Sequence, residues 1–331
     1  MKRVGGIYDR IWQWDNLRLA FYRARRGSGR SPEVLRFEQQ LAGNLSRMRE
    51  ELRAGCVIFE GFRQFRIHDP KERTITAPAF RDRVLHHAIM GVCEAYFDRW
   101  QLADSFACRR GKGRLAALRW ATNHARRYEW FLKLDIRKYF ESVSHEVLQS
   151  ALEKKFKDRR VLDLLRSITA AHEAGSGVGL PIGSLVSQHL ANFYLVTLDR
   201  FVQETLRAPG YVRYMDDFVL WSSRREDLRL WWRRIEEFLH GQLRLELKAG
   251  SHINRTEHGM DFCGFRIFRG WRGLNRGSRK RLLARLRELR ELEGHVSERV
   301  FQARAEALFA FAKEGQTIED RRWALARAFT G

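Results

Sequence analysis

Two adjacent carboxylates, Asp216 and Asp217, are the side chains of this chain whose type and setting best suit chemistry. They lie in the segment 211–221, which reads Tyr-Val-Arg-Tyr-Met-Asp-Asp-Phe-Val-Leu-Trp. Aromatic and β-branched residues on both sides of the pair predict a β-hairpin with the acidic residues at its tip. Because an Asp-Asp turn on its own is usually just solvated, a second acidic element is needed before a site can be inferred.

That second element is Asp135, near the end of the segment 131–136, which is predicted to form a short strand. Alternation along the strand places Phe131, Lys133 and Asp135 on one face. If this strand lies beside the hairpin, Asp135 and Asp216 converge, and converging carboxylates commonly bind divalent cations. The sequence therefore predicts metal-assisted chemistry.

The overall charge indicates a polyanionic substrate. Lysine and arginine total 62 against 40 acidic residues, which gives a formal net charge of +22 over 331 residues. Such a field attracts nucleic acids or anionic membranes. No apolar run approaches the length of a bilayer span, and the start of the chain lacks the core of a signal peptide. We therefore expect a nucleic-acid partner and no membrane partner.

Composition and cysteine usage indicate a folded cytoplasmic protein. Hydrophobic residues make up 44% of the chain and aromatic residues 12%, which favours a globular fold over disorder. The cysteines at 56, 93, 108 and 263 show no Cys-x-x-Cys spacing. We therefore expect buried thiols in a reducing compartment, the cytoplasm.

Hydrophobic periodicity predicts helical ends around a mixed centre of strands and helices. The expected elements are helices to about residue 55 and over 80–100, strands over 59–78, a glycine-rich loop at 174–181 before a long helix over 185–201, a strand over 243–247, and only helices beyond Trp271, one of them over 323–329.

Four weaker signals surround the carboxylates, and each alone is better explained by core packing, an ordinary turn or a solvated surface. A bulky ring, Phe140, follows the first carboxylate by five residues. Gly-Leu-Pro-Ile-Gly-Ser-Leu-Val-Ser-Gln at 179–188 lets backbone approach a ligand closely. Lys71 and Arg73 share one face of a predicted strand, and the basic loop 109–114 has a composition suited to phosphates.

Taken in order, these motifs resemble those of right-hand polymerases of the reverse transcriptase superfamily. The resemblance extends over about residues 69–268 and is most specific at Tyr-Met-Asp-Asp, 214–217. It implies an α/β (α+β) fold with fingers, a palm of antiparallel sheet plus helices, and a C-terminal helical thumb. The implied domains are an N-terminal helical extension with fingers over 1–130, a palm over 131–270 with a fingers insertion at about 141–180, and a helical thumb over 271–331.

One sequence variation, at the helix start, narrows the resemblance to one group within the superfamily. Most relatives of group II introns and retrons carry Gln-Gly-x-x-x-Ser-Pro at the helix start, where this chain has Ile182-Gly-x-x-x-Ser-Gln188. This variant, together with the segments 82–87, 107–109 and 262–265, is most similar to reverse transcriptases of diversity-generating retroelements. An isoleucine offers only packing where a glutamine amide could hydrogen-bond the incoming nucleotide, which predicts low fidelity. Errors mainly opposite template adenines are implied by the family alone.

The resemblance also implies a role for each site residue. Asp135, Asp216 and Asp217 would be catalytic and, with the Ile136 carbonyl, would bind two Mg²⁺ ions, with Mn²⁺ as a substitute. Lys248 would be a general acid for the leaving pyrophosphate. The incoming dNTP would contact Lys71, Arg73, Phe140, Ile182, Gly183 and Met215, with Phe140 excluding a ribose 2′-hydroxyl. Template and primer would contact Arg109, Lys112, Ser187, Gln188, Tyr214, Phe262, Gly264 and Phe265.

The implied activity is error-prone RNA-directed DNA synthesis on a template RNA. The implied partners are that RNA, the RNA/DNA duplex, dNTPs and a small basic oligomeric accessory protein. Two alternatives stay open. One is a defence-type, CRISPR-associated or retron/group II intron-like reverse transcriptase, and the other is a non-catalytic RNA-binding protein that keeps a polymerase fold.

Overall fold

The computed structural model describes residues 3–26, 29, 31–68, 72–170 and 177–315, and for 67, 68, 72 and 73 it describes the backbone alone. The helices are α1 (Tyr8–Ile11), α2 (Trp14–Arg25), α3 (Pro32–Gln39), α4 (Leu41–Ala54), α5 (Phe80–Trp100), α6 (Arg114–Arg127), α7 (Tyr139–Ser142), α8 (His145–Glu153), α9 (Arg159–Ala170), α10 (Leu185–Tyr194), α11 (Val196–Arg200), α12 (Arg225–Leu243), α13 (Arg276–Glu291) and α14 (Glu298–Lys313). A π-helical turn at Phe201–Thr205 continues α11.

The strands form antiparallel sheets. They are β1 (Phe62–His68), β2 (Glu72–Pro78), β3 (Trp130–Asp135), β4 (Gly210–Tyr214), β5 (Asp217–Ser222), β6 (His252–Arg255), β7 (Met260–Phe262), β8 (Phe265–Ile267) and β9 (Arg272–Leu274). β1 pairs with β2, the four-stranded sheet has the order β4-β5-β3-β6, and the three-stranded sheet has the order β7-β8-β9.

Most of the expected elements are present, but two expectations are wrong. The strand expected over 243–247 does not form, because α12 extends to Leu243 and the strand that pairs with β3 is β6 instead. The chain beyond Trp271 is not purely helical, because β9 pairs with β8 and thereby buries Leu274. The helix expected over 323–329 lies outside the described residues. Of the thiols expected to be buried, Cys93 is buried but Cys56 is exposed.

The chain divides into two compact units. The first unit comprises Met1–Leu102, Ile136–Asp199 and Glu237–Glu246, and the second comprises Ala103–Asp135, Arg200–Glu236 and Leu247–Gly331. In the first unit, α5 packs against α2 and α10. The rings of Phe97 and Trp100 on α5 meet Phe156 and Phe193 edge-on or tilted, with centroids 5.0–5.7 Å apart.

The core of the second unit lies between its two sheets and their helices. Phe131, Val219 and Trp221 from the four-stranded sheet share this core with Leu118 of α6 and Leu286 of α13. Strands β3 and β5 therefore direct apolar side chains into the core. At one end of this strand pair lie the acidic residues, the last residue of β3 and the first residue of β5. In the described part of the chain, no helix has the length and apolarity that crossing a membrane requires.

Candidate active site

The three acidic residues of the sequence motifs lie at one end of the four-stranded sheet. β3 and β5 pair antiparallel, with Asp135 directly opposite Asp217. Opposed residues of such a pair have Cα atoms about 4.5–5.5 Å apart. Asp216 occupies the turn between β4 and β5, next to Asp217. The expected adjacency of the strand and the hairpin is therefore confirmed, and it brings carboxylates distant in sequence to one place.

The hairpin turn between Tyr214 and Asp217 has an unusual backbone. Those two residues are paired, so that only Met215 and Asp216 form the turn. Met215 has a φ of +57°, the left-handed region that non-glycine residues seldom adopt. Such a conformation persists where surrounding contacts impose it, which makes those contacts part of the site.

Two lysines neutralise the carboxylates. The Lys133 ammonium, on the same face of β3 as Asp135, pairs with Asp217 Oδ1. The Lys248 ammonium pairs with Asp135 Oδ2, and the Lys248 backbone N–H donates to the Asp135 carbonyl at 2.8 Å. The side chain of Lys133 is 15% exposed and that of Lys248 46%. One cation is thus largely enclosed in the protein and the other is half in solvent.

Lys133 is held in a setting that disfavours its charge. Burial lowers the pKa of Lys133 to about 8, and the nearby carboxylates of Asp135 and Asp216 oppose that fall. The ammonium also lies 5.4 Å from the centre of the Phe262 ring. Because a pKa near 8 leaves the group mainly protonated at neutral pH, Lys133 is a counter-ion for the acidic cluster.

The chemistry of the acidic side chains, though among the described residues they form no ion-binding group, suits hard divalent cations. Carboxylate oxygens are the ligands that Mg²⁺ and Mn²⁺ prefer, and Asp135, Asp216 and Asp217 supply them at adjoining strand ends. The ammonium groups already paired with Asp135 and Asp217 show that positive charge is accommodated there. Over the described ranges, no three histidine, cysteine or carboxylate side chains are grouped to hold an ion. In the structure, the carboxylates of Asp135 and Asp217 are paired with the ammonium groups of Lys248 and Lys133.

The Ile182–Ser184 turn belongs to the first unit and is held by backbone contacts. The Ile182 carbonyl accepts from Thr76 N at 2.7 Å, which fastens the turn to β2. Gly183 has a φ of +119°, and a Cβ there would lie 3.1 Å from Ile75 Cγ2 and 3.2 Å from the Thr76 carbonyl oxygen. Only glycine fits such a position without strain. Ser184 caps α10 by accepting from Ser187 N at 3.3 Å.

Several other expected site residues lie in this first unit. Ser187 is fully buried, so its hydroxyl does not reach solvent, whereas Gln188 is half-buried. Phe140 is half-buried on α7, and its carbonyl accepts from Leu180 N at 2.7 Å. Ile136 also belongs to the first unit, where it is buried. Lys71 and the side chain of Arg73 lie outside the described residues.

The expected template loop is tightly folded on its own backbone. Arg109 donates to the Ser105 carbonyl at 2.8 Å and Lys112 to the Ala103 carbonyl at 2.6 Å. The Lys112 ammonium also lies 4.5 Å from the centre of the Phe106 ring. These cations shape the loop, and their contact with a template stays a prediction.

Strands β7 and β8 form a hairpin that carries three of the expected template and primer contacts, Phe262, Gly264 and Phe265. Phe262 and Phe265 are paired across it and buried in the core of the second unit, so their rings do not face solvent. The tip consists of Cys263 and Gly264, both with positive φ. Tyr214 is half-buried, and burial raises its pKa. Any contact of the β7–β8 hairpin with a primer would therefore be made by its tip, Cys263 and Gly264.

Sequence reasoning assigned no role to two charged residues of the second unit. The structure places Lys133 at the carboxylates and Arg213 beneath the turn that carries Asp216. Lys133 was noticed only as part of a strand face, although a lysine two residues before an aspartate on one strand face is a signal for charge pairing. Arg213 is fully buried beneath the turn. Its signal was an arginine inside the otherwise apolar run Tyr-Val-Arg-Tyr.

Comparison with known proteins gives a consistent picture. Residues 67–267 match the family described as reverse transcriptase (RNA-dependent DNA polymerase). The chain is 32% identical over 179 residues to nuclear intron maturase 4, mitochondrial, of Arabidopsis thaliana, a match covering 50% of this chain and 22% of the maturase. It is 25% identical over 283 residues to protein YkfC of Escherichia coli (strain K12), covering 70% of this chain and 73% of YkfC.

A solved structure of apo telomerase from Candida tropicalis, truncated from its C-terminal domain, has a TM-score of 0.51 and 13% identity, covering 66% of this chain and 55% of that one. This likeness shows a right-hand polymerase fold. The chain spans only 17% to 22% of the lengths of the first intron-related proteins that it matches. Because the family match extends over more than half of the chain, this protein belongs to the reverse transcriptase family.

Proposed function

We propose that this protein is an RNA-directed DNA polymerase with Asp135, Asp216 and Asp217 as its catalytic residues. The observation that carries the proposal is the pairing of Asp135 opposite Asp217, with Asp216 in the adjoining turn, in a chain of this family. When bound by such carboxylates, divalent cations activate the primer 3′-hydroxyl and stabilise the leaving pyrophosphate.

Other residues of the chain would bind and orient the substrates. Asp135, Asp216 and Asp217 would hold the cations, with the Ile136 carbonyl as an additional oxygen. Lys248, whose half-exposed ammonium already lies at Asp135, would deliver a proton to the pyrophosphate. Phe140 would exclude a ribose 2′-hydroxyl and so select dNTPs. The +22 charge of the chain supports binding of a template RNA and its duplex with DNA.

The test is incorporation of dTTP on a poly(rA)/oligo(dT) template by wild type and by Asp216→Ala. Loss of a cation ligand removes several kcal/mol of transition-state stabilisation, so we expect incorporation to fall at least about a thousandfold. Glu257→Ala is the matched control, because Glu257 is an exposed acidic residue of the same unit that pairs with Arg255. Equal incorporation by Asp216→Ala and wild type would remove the site assignment.

A wild type that binds RNA but incorporates nothing would favour the second class of function, a non-catalytic RNA-binding protein with a polymerase fold. Filter binding of the same template by wild type, measured beside the incorporation assay, separates these outcomes.

We further propose that synthesis is error-prone, as in a diversity-generating retroelement. The support is Ile182, whose backbone is fastened to β2 while its half-buried side chain carries no hydrogen-bonding group. Replacing Ile182 with Gln should lower the misincorporation frequency in sequenced cDNA, because an amide adds a geometry-dependent hydrogen bond. Ile182→Val is the control and should leave the spectrum unchanged. An identical spectrum for Ile182→Gln would remove this residue from the account of fidelity.

A second candidate of the same chemistry is a group II intron-like reverse transcriptase. The match to an intron maturase favours it. The flanking DNA distinguishes the two, since a template repeat beside a variable repeat belongs to the diversity-generating type and an intron RNA to the other. In the first case we expect a cytoplasmic complex with a small basic oligomeric accessory protein, which co-purification would reveal.

A further inference from the structure

A buried arginine lies beneath the turn that carries Asp216. The side chain of Arg213 is 0% exposed in β4, two residues before Met215. A buried guanidinium is costly unless its N–H groups are satisfied, so its partners indicate what it does. Neither the family match nor the motif assigns it a role.

The guanidinium joins two parts of the second unit. One terminal nitrogen, Nη1, donates to the Met215 carbonyl oxygen at 3.0 Å. The other, Nη2, donates to Ser105 Oγ, also at 3.0 Å. Because the guanidinium is planar and rigid, these two bonds fix the turn relative to Ser105.

The Ser105 end of this connection is itself fixed. Ser105 is 0% exposed and forms a parallel bridge with Arg213. On either side of it, the Arg213 N–H donates to the Asp104 carbonyl at 2.8 Å, and the Phe106 N–H donates to the Arg213 carbonyl at 3.0 Å. The segment 104–106 is therefore a rigid support for the guanidinium.

The Met215 end is the part of the hairpin that needs support. A left-handed conformation at a non-glycine residue costs about 1–3 kcal/mol and persists only when neighbouring contacts impose it. The Met215 carbonyl belongs to the peptide group that leads directly into Asp216. Holding that oxygen fixes the plane of the peptide and thus the direction in which the Asp216 side chain leaves the backbone.

We propose that Arg213 is a positioning residue for nucleotide addition: from inside the protein it holds the Met215 carbonyl against Ser105 and so fixes the Asp216 carboxylate. The proposal rests on the proposed polymerase function. Arg213 touches no substrate in this scheme. It acts through the geometry of the turn and not through its charge.

Arg213→Lys tests this distinction, because lysine keeps the positive charge but cannot bond both acceptors with a fixed fork. Displacement of a reacting group by about 1 Å can lower a rate about a hundredfold. We expect kcat for single-nucleotide incorporation to fall about tenfold to a hundredfold, with KM for the dNTP changed less than about threefold. Ser105→Ala, which removes the hydroxyl that accepts from Nη2, should give a smaller fall in kcat.

Arg272 provides a matched control in the same unit. It is also largely buried, 11% exposed, and donates to a backbone carbonyl, that of Glu314 at 2.8 Å, and to a hydroxyl, Thr122 Oγ1 at 3.3 Å. Arg272→Lys should lower the melting temperature about as much as Arg213→Lys while leaving kcat near that of wild type. A normal kcat for Arg213→Lys, or an equal loss for Arg272→Lys, would overturn the proposal.

Hydrogen exchange gives a readout that does not require activity. In Arg213→Lys, amides within 214–217 should exchange at least about tenfold faster than in wild type, whereas Arg272→Lys should leave them unchanged. Unchanged amide exchange within 214–217 would overturn the positioning role of Arg213 even if the enzyme is active. A wild type that incorporates no nucleotide would instead overturn the proposed function.

Discussion

Two turns that carry expected site residues are stabilised in different ways. The Met215–Asp216 turn of the second unit lies among charged groups: Arg213 holds its backbone, and Lys133 and Lys248 pair with the neighbouring carboxylates of Asp217 and Asp135. The Ile182–Ser184 turn of the first unit uses backbone hydrogen bonds, a serine cap and a glycine in tight contact with β2.

This difference shows how each region should respond to substitution. Charge interactions inside a protein are strong and depend on every partner, so the Met215–Asp216 turn should be sensitive to changes of charge. Close packing around a backbone leaves little room for added atoms, so the Ile182–Ser184 turn should be sensitive to added volume.

The largest expected effect on stability is that of Gly183→Ala. The added methyl carbon would lie 3.1 Å from Ile75 Cγ2 and 3.2 Å from the Thr76 carbonyl oxygen, so these neighbours would have to shift slightly, and the backbone φ there is +119°. Strain and contact together should lower the free energy of unfolding by about 3 kcal/mol, measured by urea denaturation. Gly250→Ala is the control, because Gly250 has a φ of +106° with nothing within 4 Å of the added atom. Equal losses at the two sites would show that packing around Gly183 is unimportant.

Lys133→Met should have the next largest effect. It leaves Asp217 without its ammonium partner, beside the carboxylates of Asp135 and Asp216. In the absence of divalent cations this should lower the free energy of unfolding by about 2 kcal/mol. Added Mg²⁺ should restore more stability to this variant than to wild type, since binding to the folded state alone stabilises it. Lys248→Met, at a half-exposed ammonium, should lose less than about 1 kcal/mol. An equal Mg²⁺ response in wild type and Lys133→Met would contradict the counter-ion role.

Stability of the first unit should depend on pH through His86, which contacts Ser184 Oγ at 3.3 Å. Burial, with a smaller effect of His87, lowers the pKa of His86 to about 3. The unfolded chain takes up a proton as the pH falls through about 6.5 while the folded chain does not. The contribution of His86 to the free energy of unfolding is therefore complete above that pH, and it falls by about 2 kcal/mol between pH 7 and pH 5.

Asp82, one turn before His86 on α5, should act in the opposite direction. Burial raises the pKa of Asp82 to about 6, so the folded state takes up this proton first as the pH falls and gains about 1 kcal/mol by pH 5. Denaturation of His86→Gln should therefore show a shallower loss of stability on acidification, and Asp82→Asn a steeper one. Parallel pH profiles for the two variants would refute both assignments.

The smallest expected effect is that of Ile182→Gln on stability. The Ile182 carbonyl, not its side chain, makes the bond to Thr76, so the free energy of unfolding should change by less than about 1 kcal/mol. A larger loss would mean that the side chain, half-buried as it is, contributes to the packing of the turn.

The sequence sufficed for the features that short-range patterns encode. Alternation around Asp135 and the aromatic residues around Asp216 predicted two strands, and the metal-site hypothesis required that these strands lie side by side, as they do. Elements of three residues, such as Arg272–Leu274, carry too short a pattern to be separated from an adjoining helix.

The contacts around the carboxylates depended on long-range pairing and could not be predicted. The bond from Arg213 to Ser105 joins residues 108 apart in the sequence, and that from Lys248 to Asp135 joins residues 113 apart. Local periodicity says which face of a strand a side chain occupies, but only the assembled sheet says which partner lies there. The burial of Ser187 likewise depends on the elements that cover α10.

The bond between the Ile182 carbonyl and Thr76 N separates what this position does for folding from what it offers a substrate. Main-chain atoms perform the first task and are the same for every amino acid, so natural selection can exchange the side chain with little harm to the fold. If copying accuracy is governed here, a lineage could adjust its mutation rate through a single codon.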